Sequence, residues 1–428
     1  MPAQSQADDL HEDPPRLPAL VEAAADFRAG SFVLRDDLRR MEIVLRFDAP
    51  EATIFYATRV VEALTASVVR RLGLEPSFNL YDNLHPLESL SLMEGQTAHW
   101  AHALRRLGND VRHVRRAITC DDAEFAVAAL PGILEWFFAS CAVGPRLPVV
   151  WQADTGPVGA EFPLTRQVVS SLARPDRSPA SLVAPVEEYM RCQAGSSPSV
   201  PALLVDLLLS SGEHRSAAHV LTLALARFPR DLRLCQLRAL ELRRTGNFVE
   251  ALTLLAGLKE DDETAGIAAA AHKAIWAQAG DPAQLQRAHS LYLRRWKASG
   301  KESAWLGINA ATTALLLDRP AVAREIAAMV RGRLDRLLTL AARHSANACR
   351  LGFWDEVTLS EASLIEGDVP SAVQGYRKTF AGAGRRPGDI EVALGQARLI
   401  ATRLGIDLPL ADQGWPASDV PIASAEQP

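Results

Sequence analysis

Three glycines, Gly212, Gly246 and Gly280, stand thirty-four residues apart. Small residues repeat with them. Ala217 and Ala251 each follow a glycine by five positions, and Ala224 and Pro229 follow Gly212 by twelve and seventeen. A period of this length fits one helix–turn–helix unit. A unit of that size cannot bury its apolar face alone, whereas a stack of neighbours can. The C-terminal half is therefore constrained to an α-solenoid. The small residue after each glycine marks where the second helix of a unit crosses the first, because a large side chain there would force the pair apart.

The spacing matches the tetratricopeptide (TPR) repeat. Two further units follow at wider intervals. Asp318 takes the turn position with Ala323 five residues on, and Gly367 does so with Ala372. The intervals of thirty-eight and forty-nine predict longer helices or insertions, and a helix near Ile390–Leu404 would cap the stack. TPR surfaces bind peptides, other proteins and sometimes small molecules, so the solenoid reads as a recognition scaffold with a protein partner.

The run Trp305-Leu306-Gly307-Ile308-Asn309-Ala310-Ala311-Thr312 narrows this reading. With Trp354–Ala362 and with Gly367, Asp368, Ala372 and Tyr376, it resembles the TRAF-binding TPR region of the apoptosis-signalling mitogen-activated kinase kinase kinases. Similar bacterial regions are fused to effector domains of conflict systems and have been proposed to sense nucleotide-derived signals. The resemblance covers roughly residues 200–400. Glycine and asparagine are costly inside a helix. Gly307 is therefore expected to serve close packing. Asn309 is expected either to make a buried hydrogen bond or, with Trp305, to contact a ligand or partner.

Composition sets the fold class. Aromatics are 6% of the chain while alanine, leucine and arginine abound, which favours an all-α fold. Apolar residues at 48% and charged residues at 23% are ordinary for a globular protein. The net charge of −5 excludes a strongly basic protein but not a local basic patch. Five dispersed cysteines without a CxxC pair argue against a zinc site, and no cofactor motif appears. The start of the chain lacks a signal-peptide pattern. No apolar stretch reads as the ~20 residues of a membrane span. A cytoplasmic protein with no membrane contact is the expectation.

Before the solenoid, residues 1–17 read as disordered and 31–145 as a helical bundle. Residues 146–199 read as a Pro/Gly-rich connector, with short helices near Leu164–Ala173 and Ala184–Cys192 and a boundary at Gly195–Ser199. The solenoid fills 200–408 and a tail closes 409–428. Within the bundle, one helix is expected from Pro50 to Leu72, a loop over 76–92, and a second helix from Gly95 to Arg116. A third opens on a Thr119/Asp122 capping box, with Pro131 kinking it.

The bundle's sharpest chemical hint is Arg105-Arg106-Leu107-Gly108-Asn109-Asp110-Val111-Arg112-His113. Arg106 and His113 return to one helix face ~10 Å apart along the axis, with Asn109 and Asp110 on that face. Arg105, Arg112 and Arg116 form a neighbouring basic stripe. Such arginines could hold a phosphate, and His113 could move a proton near neutral pH.

These residues, with Ala57–Glu62 and the Asp121-Asp122-Ala123 helix start, resemble the HEPN superfamily. The likeness is to the HEPN-like domain of unknown function found beside restriction-enzyme subunits, over residues 45–140. HEPN ribonucleases pair two protomers and use an Arg-x(4–6)-His motif in one metal-free RNA-cleaving site. The resemblance implies His113 as general acid/base, Arg106 as phosphate stabiliser and Asn109 as the residue shaping the site, with homodimerisation through the bundle. A structural or protein-binding role for the same face is the competing reading, with Arg59 and Glu62 as partners. The metal alternative, His99 with His102 and His113, lacks a matching carboxylate or cysteine.

Together these features predict an all-α protein, a HEPN-like bundle joined to a TPR solenoid. Its expected role is sensor or adaptor of a bacterial conflict or stress-signalling system. The alternatives are a ribonuclease regulated by the solenoid and a passive assembly scaffold.

Overall fold

The computed structural model describes residues 27–93, 95–141, 164–172, 178–192, 197–344, 350–382 and 387–410. The expectations for residues 1–17, for residues 146–163, 173–177 and 193–196 of the connector, and for the tail beyond 410 lie outside the described residues. The described chain is all-α, with eighteen helices and a single two-stranded hairpin.

That hairpin pairs β1 (Arg28–Ala29) with β2 (Phe32–Val33) and leads into α1 (Leu34–Arg46). In α2 (Pro50–Arg71), Ile54, Ala57, Val61, Leu64 and Val68 recur at helical spacing and are fully buried. The loop expected over 76–92 is in fact largely helix α3 (Leu80–Ser89). Its turn-forming residues misled the reading. The Asn79 carboxamide oxygen caps the helix by accepting from the Tyr81 N–H at 3.1 Å, while Leu80, Leu84 and Leu87 face the core.

Helix α4 runs Gly95–His113 and stops short of the expected Arg116. Val114 takes φ 48°, the chain reverses, and Arg116 folds back onto Asp110 at 3.2 Å and Asp122 at 2.7 Å. Helix α5 (Cys120–Glu135) opens on the expected capping box. The Thr119 hydroxyl accepts from the Asp122 N–H at 3.3 Å, and the Asp122 carboxylate accepts from the Thr119 N–H at 3.0 Å. Pro131 does not end the helix, which continues to Glu135 and then widens into a π-turn at Trp136–Ser140.

One expectation needs correction. Helix α2 and the α5–π-turn segment are each long and apolar enough to cross a membrane by length and composition alone. Both are mostly buried among the other helices, which accounts for their apolar character.

From the connector, α6 (Leu164–Leu172) packs on α5. A 3₁₀ turn at Pro179–Leu182 leads into α7 (Val183–Arg191), which packs against α6. Both also touch α8, the first solenoid helix, so the connector helices bridge the bundle and the stack.

The solenoid comprises five helix pairs and a closing helix. The pairs are α8 (Ser199–Ser210) with α9 (His214–Arg227), α10 (Leu232–Arg244) with α11 (Phe248–Ala256), and α12 (Asp262–Ala279) with α13 (Pro282–Ala298). Then come α14 (Ala304–Leu316) with α15 (Pro320–His344), α16 (Phe353–Glu366) with α17 (Val369–Phe380), and finally α18 (Pro387–Leu404). All five turn positions adopt the left-handed conformation: φ is 82°, 86°, 72° and 94° at Gly212, Gly246, Gly280 and Gly367, and 62° at Asp318. Aspartate is among the few side chains that enter this region at low cost. Ala217, Ala251, Ala323 and Ala372 are fully buried at the helix crossings, while the third unit places Leu285 there. The wide final interval is accounted for largely by α15, at 25 residues the longest helix described. Helix α18 crosses back over α14 and α16 and closes the stack.

Candidate functional site

Two faces of α4 have different fates. On one, Gly108 lets α4 approach α2 closely, since a Cβ there would stand 2.7 Å from the Thr58 hydroxyl. The glycine inside the motif therefore serves packing. Beside this crossing lies a recess of about 230 Å³ lined by Phe55, Arg59, Glu62, Val111 and Arg112. Arg112 pairs with Glu62 at 2.5 Å, and Arg59 pairs with buried Asp37 at 2.9 Å.

The other face of α4 meets the solenoid. Arg106 lies 3.9 Å from Asp206 of α8, which Arg233 of α10 holds at 2.5 Å. Arg233 also binds Glu263 of α12. Burial alone would raise the Asp206 pKa, but Arg233, His99 and Arg106 outweigh it and hold the carboxyl below its usual range. Burial and the charge of Arg233 push the Arg106 guanidinium down to about 10. Arg105 stacks over the Tyr81 ring at 5.3 Å. Further along, the Gly352 N–H, just before α16, donates to the Ser89 carbonyl of α3 at 2.8 Å. The bundle is thus seated on α8 and on the start of α16 through charged and polar groups.

Several predicted site residues are separated by this arrangement. Arg106 faces the solenoid. His113 ends α4 on an exposed turn, and Asn109 between them is half-buried. Arg112 and Arg116, expected to contact a ligand or partner, are tied into bundle ion pairs with Glu62 and with Asp110 and Asp122. His102 binds Glu88 at 2.5 Å, and among the described residues no group of three His, Cys, Asp or Glu side chains is placed to hold a metal.

Trp305 and Asn309 lie apart from those arginines, on α14. The Trp305 ring packs edge-to-face on Tyr292 and covers Gly266, where a Cβ would stand 2.1 Å from the ring, yet 48% of the tryptophan is exposed. Gly307 serves close packing as expected, its Cα facing Val330 and Trp296. Asn309 is half-buried. Its Nδ2 donates to the Trp305 carbonyl at 2.9 Å, and its Oδ1 accepts from Lys273 Nζ at 3.3 Å.

Lys273 opens a cluster that the sequence reading missed. Its ammonium also donates to Gln396 Oε1 of α18 at 3.0 Å, and Gln396 Nε2 donates to the Thr312 hydroxyl at 3.3 Å. Glu361 of α16 is 5% exposed and makes no hydrogen bond or close ion pair among the described residues. Burial pushes the Glu361 carboxyl up to about 8, with Lys273 opposing the shift. Burial, aided by Arg243, pushes Lys273 down to about 8 against the pull of Glu361. A signal existed: Lys273 interrupts the alanine-rich α12, and Glu361 interrupts the mostly buried stretch Val357–Ile365.

The chain is similar to known proteins in two segments. Residues 213–316 match the model of the Tetratricopeptide Repeats-Sensor (TPR-S) family, and residues 40–146 match that of a domain of unknown function (DUF4145). No curated protein matches the chain. Among solved structures, a thermophilic TPR protein of Thermus thermophilus aligns at 19% identity over 49% of this chain and all of that one, with a TM-score of 0.35. The C-terminal half is a TPR-type solenoid, within which residues 213–316 match the sensor family, and TPR domains generally mediate protein–protein interaction.

Proposed function

We propose that this protein is a two-part sensor. The solenoid receives a partner protein or a nucleotide-derived signal, and the HEPN-like bundle reports the bound state to an effector in a bacterial conflict or stress-signalling system. The observation that carries the reading is the seat of the bundle. Arg106 and Ser89 reach α8 and the start of α16, first helices of the solenoid units. A change in the spacing of those helices would be felt directly by α3 and α4. Charged contacts of this kind fix orientation and register. The match of residues 213–316 to a sensor family and the TRAF-binding-like motifs around Trp305 and Trp354 support the same reading.

A thermal-shift screen of cyclic and linear nucleotides against the full chain tests the nucleotide arm, because a saturable ligand stabilises by mass action. Hydrogen exchange on any complex must then show altered protection in α3 or α4. Binding that leaves both unchanged would favour the passive scaffold instead.

A further inference from the structure

The first helices of consecutive solenoid units, with the closing helix, contribute a row of polar side chains: Arg243 from α10, Lys273 from α12, Asn309 from α14, Glu361 from α16 and Gln396 from α18. Arg243 is half-buried, and its Nε is shielded from solvent without a hydrogen-bond partner. Among the described residues its guanidinium makes no hydrogen bond or ion pair. Lys273 leans on two neutral amide oxygens, and its positive charge and that of Arg243 repel. Glu361, 5% exposed, has the charge of Lys273 as its electrostatic partner, and the Tyr376 hydroxyl of α17, whose ionisation is opposed by burial and then by Glu361, is fully buried without a hydrogen-bond partner.

Unpaired buried polar groups are expensive. An unsatisfied donor or acceptor costs the full desolvation of that group, and more if it is charged. Apolar side chains would fill the same positions of a purely structural stack at lower cost. A row left this way is chemically incomplete, and what it lacks is definite. Arg243 lacks an anion, Lys273 has only Glu361 beyond direct ion-pair distance, and Glu361 lacks a hydrogen-bond donor. Arginine and lysine both complement phosphate and carboxylate oxygens.

We infer that this row is the binding site of a small molecule carrying an acid group, phosphate or carboxylate, together with an N–H or O–H donor. The acid group lies between Arg243 and Lys273, and the donor is accepted by Glu361. Asn309 and Gln396 position the Lys273 ammonium. The inference rests on the sensor reading and gives the signal a place and a chemistry. A ligand here touches four or five helices at once, including α16, whose N-cap Gly352 meets the bundle at Ser89.

The test uses the full chain and two simple probes, sodium pyrophosphate and sodium citrate, titrated calorimetrically at constant ionic strength. At least one probe should bind saturably at one site. Affinity should fall about tenfold or more in Arg243→Gln and in Lys273→Met, and stay unchanged in Lys297→Gln, an exposed cation outside the row. Preference for pyrophosphate assigns a phosphoryl ligand, and preference for citrate a carboxylate. Should Lys273→Met fail to fold, Arg243→Gln decides alone, since Arg243 leaves no partner stranded. No saturable binding of either probe, or equal affinity in wild type and Arg243→Gln, overturns the site. Neither result touches the coupling between bundle and solenoid, which hydrogen exchange tests separately.

Discussion

Arg106 of the bundle and Asp206 of the first solenoid helix lie 3.9 Å apart, across the joint between the two parts of the chain. Asp206 is 7% exposed and also serves Arg233. Its removal would leave two cations facing one another, with only Glu263 to compensate. Breaking a buried pair from one side costs about 3–5 kcal/mol. Asp206→Ala is expected to lower stability by about 3 kcal/mol. Denaturant unfolding monitored by circular dichroism measures it, and a change within about 0.5 kcal/mol would mean the joint is not held by charge.

Asp122 gathers a second joint. It caps α5, binds Arg116 through both carboxylate oxygens at 2.7 and 2.9 Å, and accepts from the Ser197 hydroxyl at 2.6 Å, two residues before α8. Asp122→Ala removes all of these and leaves Arg116 with Asp110 as its one carboxylate partner among the described residues. The expected loss is about 3 kcal/mol, against ~1 kcal/mol for Thr119→Ala, which removes only the cap. Equal losses in the two variants would count against the wider role of Asp122.

Ala251 is fully buried where α11 crosses α10. Ala251→Leu is expected to overpack the crossing and cost ~1–3 kcal/mol. A melting temperature equal to wild type would contradict the close crossing.

Stability should depend on pH through Glu361 and Lys273. The Glu361 pKa is raised from 4.5 to about 8 on folding, so its contribution is fully present below pH 4.5 and is lost as pH rises through about 8. The Lys273 pKa is lowered from 10.5 to about 8, so its contribution is present above 10.5 and lost as pH falls through about 8. Glu361→Gln is therefore expected to lose less stability than wild type between about pH 5 and pH 8. Denaturant midpoints at several pH values check this, and parallel curves for the two proteins would refute it.

The ribonuclease alternative makes a separate prediction. With Arg106 turned to Asp206 and His113 exposed at the end of α4, no His113-dependent cleavage is expected from the docked bundle. Labelled RNA incubated in EDTA with wild type and His113→Ala decides. Cleavage by the wild type alone would revive the enzyme reading.

The solenoid was legible because its signals are local. Left-handed turns select glycine or aspartate, helix crossings select alanine, and both leave fixed spacings such as Gly212–Ala217 and Asp318–Ala323. Helix α3 was not, because Asn79, Asp82, Asn83 and Pro86 belong equally to loops and to a capped short helix. The partner of the Arg106 face was not legible for a different reason. Periodicity places a residue on a face but does not say which distant helix covers it, and Asp206 is a hundred residues away in sequence. Lys273, Glu361 and Gln396 come together only because α18 folds back over α14 and α16, a long-range event without a local signature.

The most direct test of the account is hydrogen exchange on the full chain, wild type against Asp206→Asn, under conditions where both remain folded. If the bundle reads the solenoid through this joint, exchange in α4 should speed up about tenfold or more, with further change in α3, while the α12–α15 pairs keep their protection. Unchanged exchange in α3 and α4 would show that the bundle does not depend on the joint, and would contradict the proposed transmission.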